Sequence, residues 1–168
     1  FTDQKDHLTL LKALNNLKNK VNFELLIIGR GVNKNKMKNF VIDNKLQKFV
    51  KIINYKKNPY PYIKASDLFI LTSKYEGLPN VVLESLALNK FVISSNCPTG
   101  PSEILDNGQG GLLFKVGNYK DLEKKIEYFL LNKKSCIKKL NFAKKRLNRF
   151  DYSYNLNKYY KTIKNYIN

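Results

Sequence analysis

The segment Leu25-Leu26-Ile27-Ile28-Gly29-Arg30-Gly31-Val32 decides the fold class. Four consecutive aliphatic residues run straight into a Gly-x-Gly turn, and a helix-period segment follows from Lys34. A strand that is apolar on both faces belongs in a parallel sheet with helices on each side, since a sheet with one wet face alternates apolar and polar residues. The glycines serve either the backbone of the turn or the close approach of N–H groups to a phosphate or sugar. Gly29 and Gly31 are therefore the first candidate ligand positions.

Outward from this segment the same alternation repeats. Residues 23–28, 49–53, 68–72, 91–94 and 111–114 read as five short, nearly all-apolar strands. Between them, periodicity predicts a first helix capped by Asp3 and carrying Leu8, Leu11, Leu14 and Leu17 on one face, then helices over 34–47, 60–65, 80–88 and 102–106. After the last strand the chain turns all-helical, over 119–131, 134–148 and 154–167. This is an α/β chain, a Rossmann-like three-layer domain with a parallel sheet and C-terminal helices. The sequence opens on a helix, whereas a right-handed parallel crossover wants a strand ahead of it. A first strand, central in the commonest doubly wound order, is thus expected to be missing before Phe1.

With 168 residues, 43% of them hydrophobic and 12% aromatic, the chain is long enough to bury roughly 70% of its unfolded surface. Intrinsic disorder, collagen and membrane-spanning classes are excluded, the last because the apolar runs are far too short. Two cysteines, Cys97 and Cys136, cannot form a disulfide framework, and no leader opens the chain, so a cytoplasmic protein is expected. The 31 basic and 13 acidic residues give a formal charge of +18. All but Arg30, Arg146 and Arg149 of the basic residues are Lys, which disfavours base-edge readout of nucleic acid. Two readings of the charge stand: compositional drift towards Lys, Asn, Ile and Tyr, or an anionic partner such as a membrane surface on which the protein sits peripherally.

The strongest constellation is Tyr75-Glu76-Gly77-Leu78-Pro79-Asn80-Val81-Val82-Leu83-Glu84, which follows the third predicted strand. Glu76 lies at that strand's carboxyl end, where ligands bind in open α/β sheets. Gly77 and Pro79 shape a loop, the N–H groups near Asn80 and Val81 open a helix, and Glu84 falls about one turn into it. Two carboxylates so placed can face one polyol while the helix N-terminus offers donors to a phosphate. Taken alone, Glu84 is equally a first-turn acid that complements the helix dipole.

These residues resemble the paired-glutamate motif of retaining glycosyltransferases of family 4, also called group 1. Leu26-Ile-Ile-Gly-Arg-Gly31, Val50-Lys-Ile-Ile-Asn-Tyr55, Ala65-Ser-Asp-Leu-Phe-Ile-Leu-Thr-Ser73 and Pro98-Thr-Gly-Pro-Ser-Glu-Ile-Leu105 follow in the family's order and spacing. The resemblance implies the donor-binding C-terminal half of a two-domain GT-B enzyme, with residues 1–150 binding a nucleotide-diphosphate sugar, UDP-linked in preference to GDP-linked. Residues 151–168 would be the closing helix that packs towards an N-terminal domain, leaving Phe150, Tyr152, Tyr154, Tyr159 and Tyr160 exposed here and prone to self-association. The resemblance further implies that Glu84 binds the ribose and that Glu76 faces the donor sugar. Gly77, Leu78, Pro79, Asn80 and Val81 would meet the diphosphate and sugar, and Lys5 is one of two cations on the leaving diphosphate. The other, an arginine, would precede Phe1, so this stretch alone is expected to lack activity. Tyr55, after the second strand, falls where the base would be held. The implied chemistry is hexosyl-type transfer with retention, without metal or cofactor, to a glycan or lipid-linked acceptor in cell-surface polysaccharide or glycoconjugate synthesis.

Two other classes compete: a non-catalytic Rossmann-like module that binds nucleotide or nucleic acid, and a nucleotide-sugar epimerase of the same fold. Paired carboxylates repel nucleic acid and suit sugar hydroxyls, which counts against the first. Arg30 and Lys34 are expected to be solvated, Cys97 a packed thiol, Glu103 a helix-start acid and His7 a surface residue of the first helix. With a single histidine and no CxxC or HExxH spacing, metal and hydrolase-triad readings find no residues to carry them.

Overall fold

A computed structural model describes residues 1–167; Asn168, the last residue expected in the closing helix, lies outside the described residues. The strands are β1 (Leu25–Ile28), β2 (Val50–Ile53), β3 (Leu68–Leu71), β4 (Phe91–Ser95) and β5 (Leu112–Phe114). The helices are α1 (His7–Leu17), α2 (Lys34–Asp43), α3 (Tyr60–Ala65), α4 (Asn80–Ala87), α5 (Pro101–Ile104), α6 (Tyr119–Leu131), α7 (Lys133–Lys145) and α8 (Tyr152–Ile167). All strand pairs are parallel. The α/β class and the three layers are as the sequence implies.

The layers follow from strand alternation. In the wholly buried β4, Phe91 and Ile93 face Leu10, Leu14 and Leu17 of α1 and Leu122, Ile126 and Phe129 of α6. Val92 faces the other way, onto Val82 and Leu86 of α4, Ile104 of α5 and Ala143 of α7. Successive side chains of a strand point to opposite faces, so an uninterrupted apolar run feeds both cores. Phe91 stacks on Phe129 with centroids 5.4 Å apart. A third cluster joins Ile27, Val50, Met37, Val41 and Leu46 under α2.

The strands form two groups. β1 pairs only with β2, and β3, β4 and β5 form a separate sheet in that order. Between the free edges of β1 and β3 lies a slot of about 800 Å³, walled by Leu10 and Leu14 of α1, Phe129 of α6 and Ile63 of α3. The slot stands where the expected central strand would run, and the two edges are not hydrogen-bonded to each other.

Three local expectations are corrected. Asp3 does not cap α1 but lies in a 3-10 turn, Asp3–Lys5; the cap is Asp6, in the left-handed region at φ 42°, with Thr9 Oγ1 donating to its carboxylate at 2.7 Å. α2 ends at Asp43, where Asn44 and left-handed Lys45 (φ 55°) turn the chain before Gln47. His7 is half-buried, its ring edge-on to Phe1 at 5.4 Å. Burial lowers its pKa to about 4.

Candidate functional site

The first five residues build one wall of the site. They cross the carboxyl ends of β1 and β3, held by backbone at both sides of the slot. At the β1 side, the Phe1 backbone nitrogen donates to the Arg30 carbonyl, and Asn33 N–H donates to the Phe1 carbonyl at 3.0 Å. At the β3 side, Lys74 N–H donates to the Gln4 carbonyl at 2.7 Å and Thr72 Oγ1 to the Lys5 carbonyl at 2.7 Å. This path brings Lys5, 71 positions away in sequence, to Glu76, with Nζ 2.7 Å from Oε1.

Glu76 is set in a cradle of hydroxyls. Its side chain is 9% exposed, and Oε1 accepts a second bond, at 2.5 Å, from Ser73 Oγ. Thr99, from the loop after β4, donates to the Glu76 carbonyl. Burial of a carboxylate is costly unless it is paired and hydrogen-bonded, and here it is both. The loop after β4 presses directly on this turn. Gly100 sits at φ 83°, and a Cβ there would run into the Gly77 carbonyl and the Pro79 ring. Glycine is required at Gly100 on both conformational and steric grounds.

Past Glu76, Gly77 and Leu78 are exposed, with open space where a Gly77 side chain would be. Pro79 is buried and caps α4. Asn80 and Val81 open the helix, so their N–H groups lack intrahelical carbonyl partners, and the positive end of the helix dipole lies beside the Lys5–Glu76 pair. Glu84, half-buried, accepts from the Tyr60 hydroxyl at 3.4 Å, which ties α4 to the start of α3. No hydrogen bond among the described residues joins Glu76 to Glu84.

The other expected positions sit on the same rim. Gly29 and Gly31 are packed by Phe1: its ring covers Gly29, and its backbone leaves no room for a side chain at Gly31. Tyr55 is exposed, and the Arg30 guanidinium lies 5.4 Å from its ring centroid. Arg30 is exposed as expected, and the half-buried Lys34 donates through Nζ to Asn54 Oδ1 at 2.5 Å. Cys97 is buried, and burial pushes its thiol up. Glu103 lies in the first turn of α5. Sequence reasoning missed Ser73, Ser95, Thr99 and Tyr60. Among the described residues no cluster of three or more His, Cys, Asp or Glu side chains is placed to hold a metal ion, and no helix is long and apolar enough to cross a membrane.

A cation, a cradled carboxylate, a helix N-terminus and a second carboxylate at the carboxyl ends of parallel strands suit an anionic ligand that also carries hydroxyls. The family described as glycosyl transferases group 1 matches residues 1–146. The chain is 30% identical over 147 residues to the N-acetylgalactosamine-N,N'-diacetylbacillosaminyl-diphospho-undecaprenol 4-alpha-N-acetylgalactosaminyltransferase of Campylobacter jejuni, covering 88% of this chain and 40% of that protein. The crystal structure of a glycosyltransferase from Rickettsia africae superposes with a TM-score of 0.85 at 26% identity, over 98% of this chain and 45% of that one. Anabaena HepE in complex with UDP superposes with a TM-score of 0.87 at 18% identity, again over 98% of this chain and 46% of that one. The chain therefore spans less than half the length of each of these proteins. With residues 1–146 of its 168 matched, it belongs to the glycosyl transferases group 1.

Proposed function

We propose that residues 1–150 bind a nucleotide-diphosphate sugar, a UDP-sugar in preference to a GDP-sugar, and present it for retaining transfer of a hexosyl-type unit. The observation that carries this reading is the Lys5–Glu76 pair, 2.7 Å apart, beside the N-terminus of a helix that bears Glu84 one turn in. Glu84 accepts from the ribose hydroxyls, with Tyr60 steadying its carboxylate. The N–H groups of Asn80 and Val81, the exposed Gly77–Leu78 turn and Lys5 meet the diphosphate, and Glu76 faces the sugar. Tyr55, backed by Arg30, sits where the base would be held.

Charge decides the chemistry. As the glycosidic bond breaks, negative charge gathers on the departing diphosphate, and fixed donors aimed at it stabilise the transition state more than the ground state. The α4 terminus is such a donor, and Lys5 adds a cation that swings to the same charge. With retention, the acceptor hydroxyl approaches the face the nucleotide leaves, and a diphosphate oxygen takes its proton; no base from this half is required. Anabaena HepE in complex with UDP supports the choice of nucleotide, and the Campylobacter jejuni relative supports a lipid-linked or glycan acceptor. Residues 151–168 are assigned to a closing helix that packs towards an acceptor-binding domain.

The test is transfer from radiolabelled UDP-sugars to polyprenyl-diphosphate-linked acceptors by the intact polypeptide that carries these residues, with the anomeric configuration of the product read by NMR. An α-linked product from an α-linked donor supports the reading. Inverted product, or epimerised free donor with no transfer, contradicts it.

A further inference from the structure

Beneath the Glu76 turn lies a relay of hydroxyls to which the donor-binding reading gives no part. Ser73 is completely buried just past the carboxyl end of β3, where a strand covered on both faces ordinarily continues apolar. Its hydroxyl donates to Glu76 Oε1 at 2.5 Å. Its carbonyl accepts at 2.6 Å from Oγ of Ser95, itself completely buried at the end of β4. Glu76 is thus tied at one carboxylate oxygen to a residue that is in turn tied to the central strand of the larger sheet.

The same oxygen already has a partner. Lys5 Nζ lies 2.7 Å from Oε1, so satisfying the buried charge does not by itself call for a serine. Both bonds fall on Oε1. No partner of Oε2 is found among the described residues, which leaves that oxygen to accept from a ligand hydroxyl. The two holders of Oε1 also differ in kind. The Lys5 side chain is 41% exposed on a flexible four-carbon stem, and an arriving diphosphate competes for it with two negative charges against one. Ser73 is rigid, neutral and inaccessible, so no anionic ligand draws it away.

We propose that Ser73 is a positioning residue, which keeps the Glu76 carboxylate aimed at the donor sugar when Lys5 turns from Glu76 to the diphosphate. The inference rests on the donor-binding reading and adds to it a division of labour: Lys5 moves with the charge, and Ser73 does not.

The experiment compares wild type with Ser73→Ala, Ser73→Thr and Ser95→Ala in the intact polypeptide. Steady-state release of free sugar from UDP-glucose, UDP-N-acetylglucosamine and UDP-N-acetylgalactosamine is followed without acceptor, and UDP serves as competitive inhibitor. Ser73→Ala is expected to lower kcat about 10- to 100-fold, the scale of a small misplacement of a reacting group, while the inhibition constant of UDP stays within about twofold. Ser73→Thr, which keeps the hydroxyl, restores most of kcat, and Ser95→Ala produces a smaller fall of the same kind. Unchanged kcat in Ser73→Ala overturns the proposal. So does a loss of UDP binding as large as the loss in kcat/KM, since that is what mere collapse of the loop produces. A wild type that neither binds UDP nor turns over any of the three donors overturns the donor-binding reading itself, and this inference with it.

Discussion

His7 carries the clearest single-residue consequence outside the site. It is neutral in the folded chain because burial beside Phe1 disfavours its charged form, lowering its pKa from 6.5 to about 4. Between those values the unfolded chain binds a proton that the folded chain refuses, so stability is full above pH 6.5 and falls as the pH drops towards 4. Urea unfolding at pH 7 and pH 5 should differ by roughly 1–2 kcal/mol from this group, since a tenfold difference in proton affinity between the two states is worth about 1.4 kcal/mol. His7→Gln should remove that difference, and an unchanged pH dependence in the variant would assign it elsewhere. His7 also marks a limit of sequence reading. Helical phase places it on the surface of the first helix, but Phe1 reaches it across the turn that left-handed Asp6 makes, a contact that helical phase does not contain.

At the scale of elements, the site depends on two loops held in contact. Gly100 at φ 83°, against the Gly77 carbonyl and the Pro79 ring, permits the loop after β4 to brace the loop after β3. Gly100→Ala should cost about 1–3 kcal/mol of stability, the usual scale of a side chain forced into strained backbone. The variant should also weaken nucleotide binding beyond what its folded fraction explains, because the turn leading to α4 is displaced. Thermal unfolding and calorimetric titration of the same sample separate the two effects; wild-type affinity in the folded fraction would deny the brace. Most elements were legible in advance, because β1 to β5 and α3, α4 and α6 are marked by long apolar runs or by strong 3.6-residue periodicity between glycines and prolines. The placing of Glu76 after β3, of Glu84 within α4 and of the Gly77–Pro79 turn between them was legible too, since all lie in one continuous segment. The cradle was not. Ser73, Ser95 and Thr99 come from two different strand ends, and a serine ending an apolar strand looks the same whether it meets water or a carboxylate. Thr72-Ser73, two hydroxyl residues closing the run Leu68–Leu71, was the one signal available.

At the scale of the whole molecule, two features among the described residues stand without a partner. One is the slot between β1 and β3, with unpaired backbone on both edges. The other is α8, which buries none of its residues and carries Tyr152, Leu156, Tyr159, Tyr160, Ile163 and Tyr166 as an exposed apolar stripe. Phe150, expected among the exposed aromatics, instead packs partly into the core under α7. Large exposed apolar patches seek partners, so the 168-residue chain by itself should associate at micromolar concentration in sedimentation velocity runs. Tyr159→Ser with Ile163→Ser should return it to monomer; association that persists would locate the contact at the open strand edges instead. The split between β1 and β3 agrees with the expectation of a sheet short of its central strand, whereas the register of each strand pair depends on contacts distant in sequence. Every role proposed for the site stands on donor binding through Glu84, and calorimetric titration of UDP, GDP and ADP into the intact polypeptide, beside Glu84→Gln, probes that binding itself. Saturable binding with UDP preferred is expected, with a loss of about 10-fold or more in Glu84→Gln, as when a charged hydrogen-bond acceptor is neutralised. Equal affinity of wild type and Glu84→Gln for UDP, or no nucleotide binding by wild type, would contradict it.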